Sequence, residues 1–383
     1  MTAPLDGVIV VALEQAVAAP LATRHLADLG ATVLKVERPD VGDFARNYDS
    51  KVNGSSTFFV WANRGKQSIT LDMKDEADRA TFDALVAGAD VFIQNMSPSA
   101  AERSGVLASQ LVAQHPRLVA CDVSGYGLGG PRSDDKAYDL AIQAEGGAMA
   151  LTGSADEMSK VGFSVADISA AMYAFSSILA ALYRRNLTGE GAAISLSMLE
   201  CLTEWTSVPM YSAVYSGTVP ERAGHRHALI APYGLYALGD GARILVAVQS
   251  NRDWATFAGE VLLDPSLVAD PRFAENQDRI DNIAAMEAII ADAFGSVPPD
   301  EIIERLTSSG VVWARARDPL QVWEHEQHVA RDRFMSVDLP TGTARVMKPP
   351  FNISDCPDPR PGVPALGEHD PALIEQLRTR ADG

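Results

Sequence analysis

Short apolar runs and longer amphipathic stretches alternate along the first two hundred residues of the chain. The apolar runs are short and rich in β-branched residues, which predicts β-strands. They read GVIVVAL, TVLKVE, QSITLDM, DVFIQN, RLVACDV and AAISLSM. Helical patterns lie between them, such as AAPLATRHLADLG, Glu76–Ala87 and the apolar stretch Ile168–Arg185. Strands that alternate with helices predict an α/β fold, in which helices cover both faces of a parallel sheet.

The pattern changes after about Glu204. The run PYGLYALGDGARILVAVQS predicts a β-hairpin, because two apolar segments flank GDG. Helical patterns and the strand-like run VVWARAR follow, which indicates a second, α+β domain. From about Arg331 the chain is rich in Pro and Gly, and it ends in a helix from about Pro371. We predict that this tail has few elements of its own and packs on the first domain or on a partner subunit.

Composition and charge narrow the choice of partners. A chain of 383 residues with 47% hydrophobic content predicts two domains with large cores. Its formal net charge of -18 disfavours nucleic acid and anionic membranes as partners. The helix Ile168–Tyr183 is predicted to be buried, because it is short for a bilayer. The widely spaced Cys121, Cys201 and Cys356 predict neither disulfides nor structural zinc, which favours a reducing cytoplasm.

Several familiar chemistries lack their motifs. The first strand–helix turn, LEQAVAAP, has no G-x-G-x-x-G, which disfavours a nicotinamide site. The glycine-rich run GYGLGGP has the wrong spacing for a phosphate cradle, and we interpret it as a flexible loop. The chain has no H-E-x-x-H, no G-x-S-x-G and no P-loop. Its few histidines form no cluster with Cys or carboxylates, so no metal site is predicted.

Two features leave alternatives open. Scarce basic residues follow the predicted strands, where ligands of open α/β sheets bind, so they form either an anion site or a solvated surface. They are Lys35, Arg38, Arg46, Arg64, Lys66, Arg103 and Lys136. Asp167 directly precedes an apolar helix and is predicted to be its N-cap. N–H bonds and the helix dipole would keep it ionised. An ionised carboxylate can also attack a thioester.

Seven segments, in order along the chain, carry a family resemblance. They are PLDGVIVVALEQAVAAPLATRHLADLGATVLKVERPDVGDFAR, NRGKQSITLDMK, DVFIQNMSPSAAERSG, SGYGLGGP, AYDLAIQAEGG, VADISAAMYAFSSILAALYRRNLTGEGAAISLSMLE and PALGEHDPALIEQL. Together they resemble the class III CoA-transferases, of the formyl-CoA and carnitine CoA-transferase type, whose fold the α-methylacyl-CoA racemases share. The resemblance implies a Rossmann-like large domain (residues 1–200), a smaller α+β domain (205–325) and a C-terminal segment (330–383) that returns to the large domain. It also implies an interlocked homodimer.

The resemblance further implies a site and a substrate class. Asp167 matches the family's nucleophile, and N–H groups at its helix start are expected to stabilise the oxyanions. The positions that match CoA-binding residues are Val17, Ala18, Arg38, Leu71, Lys74, Asn95, Met96, Arg103 and Lys136. The substrates implied are an acyl-CoA thioester and a small carboxylic acid. No permanently bound cofactor is expected.

Tyr138 distinguishes the two chemistries of this fold. The racemases carry a His there as an acid/base partner of the Asp, whereas an ordinary Tyr is a poor base at neutral pH. This favours transfer over the alternatives of a racemase, a non-catalytic CoA-binding protein or, more remotely, a dehydrogenase. Val17 replaces a Gln of formyl-CoA transferases, and the run RAGHRHALIAPYG lacks their glycine-rich flap. Another acid is therefore expected in place of oxalate, with a dicarboxylate such as succinate as a candidate.

Overall fold

The structure is a computed structural model that describes residues 2–382. Its strands are β1 (Ile9–Leu13), β2 (Thr32–Glu37), β3 (Lys66–Thr70), β4 (Val91–Gln94), β5 (Val119–Ser124), β6 (Ala192–Ser197), β7 (Tyr233–Ala237), β8 (Arg243–Ala247), β9 (Val312–Arg315), β10 (Phe334–Leu339) and β11 (Gly342–Met347). The first ten helices are α1 (Ala18–Asp28), α2 (Thr57–Asn63), α3 (Glu76–Ala87), α4 (Pro98–Arg103), α5 (Ala108–Gln114), α6 (Asp139–Glu145), α7 (Ala148–Leu151), α8 (Val165–Thr188), α9 (Met198–Trp205) and α10 (Ser207–Ser216).

The remaining helices are α11 (Asn251–Thr256), α12 (Asn276–Asp281), α13 (Ile283–Gly295), α14 (Pro299–Ser309), α15 (Pro319–Trp323), α16 (Glu326–Ala330) and α17 (Pro371–Asp382). Short 3₁₀ turns occupy Phe44–Asn47 and Pro265–Val268, and a π-helical turn occupies Phe257–Val261. The described chain forms two compact units. One comprises residues 2–148, 161–208 and 329–382, and the other Met149–Lys160 and Pro209–His328.

The first unit is built on a six-stranded parallel sheet in the order β3-β2-β1-β4-β5-β6. The central strands β1, β4 and β5 are buried on both faces, as is usual in a parallel sheet, whereas the edge strand β6 alternates between half-buried and exposed residues. Val10 and Ala12 pack beneath α1 and α8, whereas Ile9 and Val11 point to the opposite face, beneath α3, α5 and α17. The prediction of an α/β fold with a parallel sheet is confirmed.

The tail contributes more structure than the sequence predicts. β10 and β11 form an antiparallel hairpin, so the expectation of few elements in this segment is wrong. Further on, residues 362–370 run along the open edge of β3, where the N–H of Ser68 donates to the Glu368 carbonyl at 2.8 Å. Leu373 and Leu377 of α17 are buried against α3. The tail thus closes one edge and one face of the parallel sheet.

Helix α8 is longer than the sequence pattern suggests. It has 24 residues, so the prediction that it is too short to span a bilayer is wrong. Length and apolar composition match a membrane-spanning helix, and core helices share both features. Here α8 packs against α1, α9, β5 and β6, and it buries Ala170, Ala174 and Ile178. These contacts account for its apolar face.

The second unit contains the antiparallel sheet β7-β8-β9. The predicted hairpin is confirmed, since β7 and β8 pair across the GDG turn. Helices α11, α13 and α14 cover the sheet and bury Trp254, Phe257 and Phe294 between them. This aromatic core belongs to the second unit alone.

Candidate active site

The carboxyl ends of β1 and β4 lie side by side, where the strand order reverses direction. Ligands of open α/β sheets bind at such a switch point. Asn95 connects the two loops there: its Oδ1 accepts the N–H of Gln15 at 3.0 Å and its Nδ2 donates to the Gln15 carbonyl at 2.8 Å. The amide of Asn95 therefore sets the shape of the crevice between the two loops.

A buried cluster of charges supports the first loop. The carboxylate of Glu14 lies 2.6 Å from Lys66 Nζ, and Lys35 Nζ lies 2.9 Å from Asp43 Oδ2. Asp43 Oδ1 also accepts the N–H of Ala16, whose φ of 64° is the left-handed conformation. Such a conformation is costly for a residue with a Cβ and persists only where its surroundings hold it. The ion cluster holds this loop in place.

The cluster corrects part of the proposed anion site. Lys35 and Lys66 are buried and paired with Glu14 and Asp43. Two further basic residues of the predicted anion site form bidentate ion pairs. Arg46 donates to Glu37 at 2.6 and 2.8 Å, and Arg64 donates to Asp28 at 2.9 Å. These four side chains are neither anion ligands nor solvated surface charges. They are internal ion pairs.

Two cavities open at the switch point. The smaller has a volume of about 290 Å³ and is lined by five of the predicted CoA-binding residues. The five are Arg38, Leu71, Lys74, Asn95 and Met96. Arg38 and Lys74 are exposed and have no carboxylate within ion-pair distance among residues 2–382. An anionic ligand at the mouth of this cavity would meet two free cations.

The larger cavity has a volume of about 580 Å³ and shares Gln15, Asn95 and Met96 with the smaller one. Asp167 and Tyr138 line it, and Tyr138 is 70% exposed, so its hydroxyl is accessible to a ligand. The other predicted residues in its wall are Val17, Ala18 and Lys136. Ten of the eleven predicted site residues therefore line one cavity or the other.

Arg103 is the exception. It lies on the exposed side of α4 and outside both linings. Its charge nevertheless acts on Asp134, a residue of the larger cavity wall. The pKa of Asp134 is lowered mainly by the N–H of Ser99, at 2.9 Å, and to a smaller extent by Arg103. Arg103 is thus near the rim of the larger cavity rather than in its wall.

The structure corrects the predicted cap of α8. The helix begins at Val165 after Ser164, so Asp167 lies in the first turn and is not the N-cap. The acceptor at the helix start is instead Asp139 of α6. Its Oδ1 accepts the N–H of Ala166 at 2.8 Å and that of Asp167 at 3.3 Å. These two N–H groups are therefore occupied, and the expectation that they stabilise oxyanions is wrong.

The carboxylate of Asp167 has no hydrogen-bond or ion-pair partner among residues 2–382. Burial, and to a smaller extent the negative charge of Asp139, raise the pKa of Asp167 to about 7. The expected stabilisation of its ionised form by capping is therefore absent. An unpaired carboxylate of this basicity, facing a cavity, is suited to nucleophilic attack or proton transfer.

Aromatic side chains form one wall of the larger cavity. Tyr48 contacts Phe44 with ring centroids 5.6 Å apart and Phe58 edge-on at 5.4 Å. Burial raises the pKa of Tyr48, and the charges of Asp43 and Asp167 add to this effect. The sequence reasoning missed both Tyr48 and Asp139. For Asp139 a signal existed, because it directly follows Tyr138 in a quoted motif.

The sequence profile described as CoA-transferase family III matches residues 5–370. The chain belongs to this family. It is 34% identical over 380 residues to an acetyl-CoA:oxalate CoA-transferase of Acetobacter aceti, which covers 98% of this chain and 96% of the relative. It is 30% identical over 388 residues to a succinate–glutarate CoA-transferase of Agrobacterium fabrum, with 98% and 96% covered.

A solved structure with the same fold is that of a CAIB/BAIF family protein from Brucella suis. It has a TM-score of 0.85 and 33% sequence identity, and the match covers 98% of this chain and 100% of that one. The prediction of a class III CoA-transferase is thereby confirmed.

Proposed function

We propose that this CoA-transferase moves CoA from an acyl-CoA to a dicarboxylic acid with Asp167 as the nucleophile. The observation that carries the proposal is the unpaired Asp167 carboxylate in a cavity that adjoins a second cavity with free cations at its mouth. Cations there would bind the CoA phosphates, which require neutralisation. The thioester would then reach the larger cavity past Asn95 and Met96, which belong to both linings.

The reaction would proceed by exchange at the Asp167 carboxyl. A carboxylate oxygen attacks the thioester carbonyl, the C–S bond breaks, and CoA thiolate leaves a mixed anhydride. The thiolate attacks the aspartyl carbonyl and releases the donor acid. The acceptor carboxylate attacks the resulting aspartyl-CoA thioester. Finally, the expelled thiolate attacks the acceptor carbonyl of the new anhydride and regenerates Asp167.

Donors for the tetrahedral oxyanions must come from elsewhere than the start of α8. The N–H groups of Val17 and Ala18 have no acceptor among residues 2–382, and both residues line the larger cavity. The hydroxyls of Tyr48 and Tyr138 line it as well. Preorganised donors of this kind stabilise developing charge more strongly than water does.

Two observations support a dicarboxylate acceptor. The relatives described above are named for oxalate and glutarate. Lys136 lines the larger cavity and has no ion-pair partner among residues 2–382, so it is able to bind a second carboxylate or a CoA phosphate. The relative named for oxalate returns this acid to the candidates that the sequence had disfavoured.

Trapping with hydroxylamine tests the nucleophile. The protein is incubated with acetyl-CoA or succinyl-CoA and hydroxylamine, and peptides are analysed by mass spectrometry. We expect a hydroxamate at Asp167 and loss of transfer in Asp167→Ala, with Asp6→Ala as the exposed control. An active Asp167→Ala variant, together with an unmodified Asp167 in the wild type, would refute the mechanism.

Acceptor choice is tested with a panel of oxalate, succinate, glutarate, acetate and butyrate. Transfer to the monocarboxylates at the same kcat/KM as to the dicarboxylates would contradict the proposal. The pKa of Asp167 also suits a racemase base, and no His lines either cavity in the described chain. Deuterium exchange at the α-carbon of a 2-methylacyl-CoA, without any acid acceptor, would favour that alternative.

We also propose that the first unit is Rossmann-like and that the protein is an interlocked homodimer. Its strand order is that of doubly wound nucleotide-binding sheets, which supports the first point. Helix α10 supports the second, since it buries no residue within the described chain and exposes Val208, Tyr211, Val214 and Tyr215. Light scattering that gives a monomer mass at micromolar concentration would rule out the dimer. A cytoplasmic location stays a prediction.

A further inference from the structure

Two side chains of α6 hold the segment that leads into α8. Asp139 Oδ2 accepts a hydrogen bond from Gln143 Nε2 at 2.7 Å, and the two residues are one helical turn apart. Gln143 is buried, and its Oε1 accepts the N–H of Val161 at 2.8 Å. Asp139 Oδ1 accepts the N–H groups of Ala166 and Asp167. Residues 161–167 are thus fastened to α6 at both ends.

The two neighbouring carboxylates have opposite environments. Asp139 accepts three N–H hydrogen bonds, which fix the position of its carboxylate. Asp167 accepts none from residues 2–382 and feels the charge of Asp139. The arrangement keeps one carboxylate fixed and leaves the other free to react.

We propose that Asp139 is a positioning residue that orients Asp167 through the first turn of α8 and increases its nucleophilicity by charge repulsion. The inference rests on the proposed role of Asp167 as the nucleophile. When an Asp167 oxygen bonds to the acyl carbon, the C–S bond breaks and the negative charge moves to the departing sulfur. Repulsion from Asp139 falls during this step, so it destabilises the ionised ground state more than the transition state.

Other ionisable groups share the cavity with Asp167. They are Tyr48, Asp134, Asp135, Lys136 and Tyr138. In the described chain, Asp139 is the charged group that contributes to the raised pKa of Asp167. The ionisable side chains of α1, α9 and β5, which pack against α8, do not contribute. Removal of the charge at Asp139 should therefore have an effect that removal of the other carboxylates does not.

The test compares Asp139→Asn with the double variant Asp139→Asn/Gln143→Glu. Asparagine at position 139 keeps an oxygen that accepts the N–H of Ala166. Its NH₂ group would face the NH₂ group of Gln143, so the hydrogen bond between these two side chains would be lost. Glutamate at position 143 accepts a hydrogen bond from the amide of the new asparagine, which restores the contact between positions 139 and 143. The negative charge then lies one helical turn further along α6 than in the wild type. Asp6→Asn is the matched control, because it makes the same substitution at an exposed carboxylate that lines neither cavity. The readouts are kcat and KM for CoA transfer between about pH 5 and pH 9.

In the wild type, kcat/KM should rise with pH through an apparent pKa near that of Asp167. We expect Asp139→Asn to shift this rise to lower pH by about one unit and to lower the plateau of kcat about tenfold, with KM for acyl-CoA changed less than about twofold. The double variant should recover thermal stability while its pH profile stays shifted. Asp6→Asn should behave as the wild type does.

Two results would overturn the inference. The first is an unshifted pH profile and an unchanged kcat in Asp139→Asn. The second is recovery of the wild-type pH profile in the double variant, which would indicate that Asp139 has a packing role alone. Hydroxylamine trapping distinguishes failure of the proposed role of Asp139 from failure of Asp167 as the nucleophile. If wild-type Asp167 is trapped and Asp139→Asn is trapped equally fast at each pH, only the role of Asp139 fails. If Asp167 is never trapped, the nucleophile itself is wrong.

Discussion

Asp167 should destabilise the folded protein at neutral and alkaline pH. Its pKa is raised from 3.8 to about 7 in the folded state. A difference of about three pKa units corresponds to about 4 kcal/mol, because one unit is worth about 1.4 kcal/mol. The side chain is only partly buried, so solvent screens part of this effect, and we expect about 2–4 kcal/mol. Asp167→Asn, which has the same shape and no charge, should recover it.

The sign and pH range follow from proton binding. Between the unfolded pKa of 3.8 and the folded pKa of about 7, the folded state binds more protons at Asp167 than the unfolded state does. Asp167 therefore does not lower the free energy of unfolding below about pH 4, and it lowers it progressively as the pH rises towards about 7. The free energy of unfolding of Asp167→Asn should match the wild-type value near pH 4 and exceed it by about 2–4 kcal/mol at pH 8.

Urea denaturation of both proteins at several pH values between these limits measures the difference directly. Asp6→Asn serves as a control, since Asp6 is exposed and forms no ion pair within the described chain. Its free energy of unfolding should differ little from the wild-type value at any pH. A difference between Asp167→Asn and wild type that is constant across the pH range, or that has the opposite sign at pH 8, would refute the account of this carboxylate.

Three further predictions concern other parts of the first unit. Lys66→Met leaves Glu14 with one cation fewer and should lower the free energy of unfolding by about 3–5 kcal/mol. In the double variant Lys66→Met/Glu14→Gln, the loss of stability should be smaller than the sum of the losses in the two single variants. Lys74→Ala should raise KM for acyl-CoA about tenfold and leave kcat within about twofold, and the effect should shrink at high salt; an unchanged KM would remove Lys74 from the CoA site. Gly88→Ala would place a Cβ in steric overlap with the Leu377 carbonyl, so α17 should detach and its amides should exchange faster with deuterium. Wild-type exchange rates would contradict this packing.

The parallel sheet was predictable because its signal is local. Strands such as β1 and β4 are short runs dominated by apolar residues, and a run of that kind is recognisable without knowledge of its neighbours. The β10–β11 hairpin was missed because neither of its strands is a continuous apolar run. Only β10 has buried residues, and Pro340 and Gly342 at the turn resemble the Pro- and Gly-rich segments around them.

The site was predictable as a set of residues but not as a set of contacts. Family motifs indicated Asp167 and Tyr138, whereas the cap at the start of α8 comes from Asp139, 28 residues away in sequence. The internal pairing of Lys35 and Lys66 was hidden for the same reason, since Glu14 is 21 and 52 residues distant from them. Charge counting cannot tell a cation that awaits a ligand from one already neutralised by a carboxylate elsewhere in the chain.

The tail segment along β3 has a consequence for the order of synthesis. Ser68 lies in the edge strand, and its partner Glu368 follows about 300 residues later. At a synthesis rate of roughly 5–20 residues per second, the edge of β3 waits about 15–60 s for that partner. An unpaired strand edge is a template for pairing with other chains. The nascent protein is therefore most prone to aggregate while the ribosome is completing the second unit, and a chain released before about residue 360 would keep that edge open permanently.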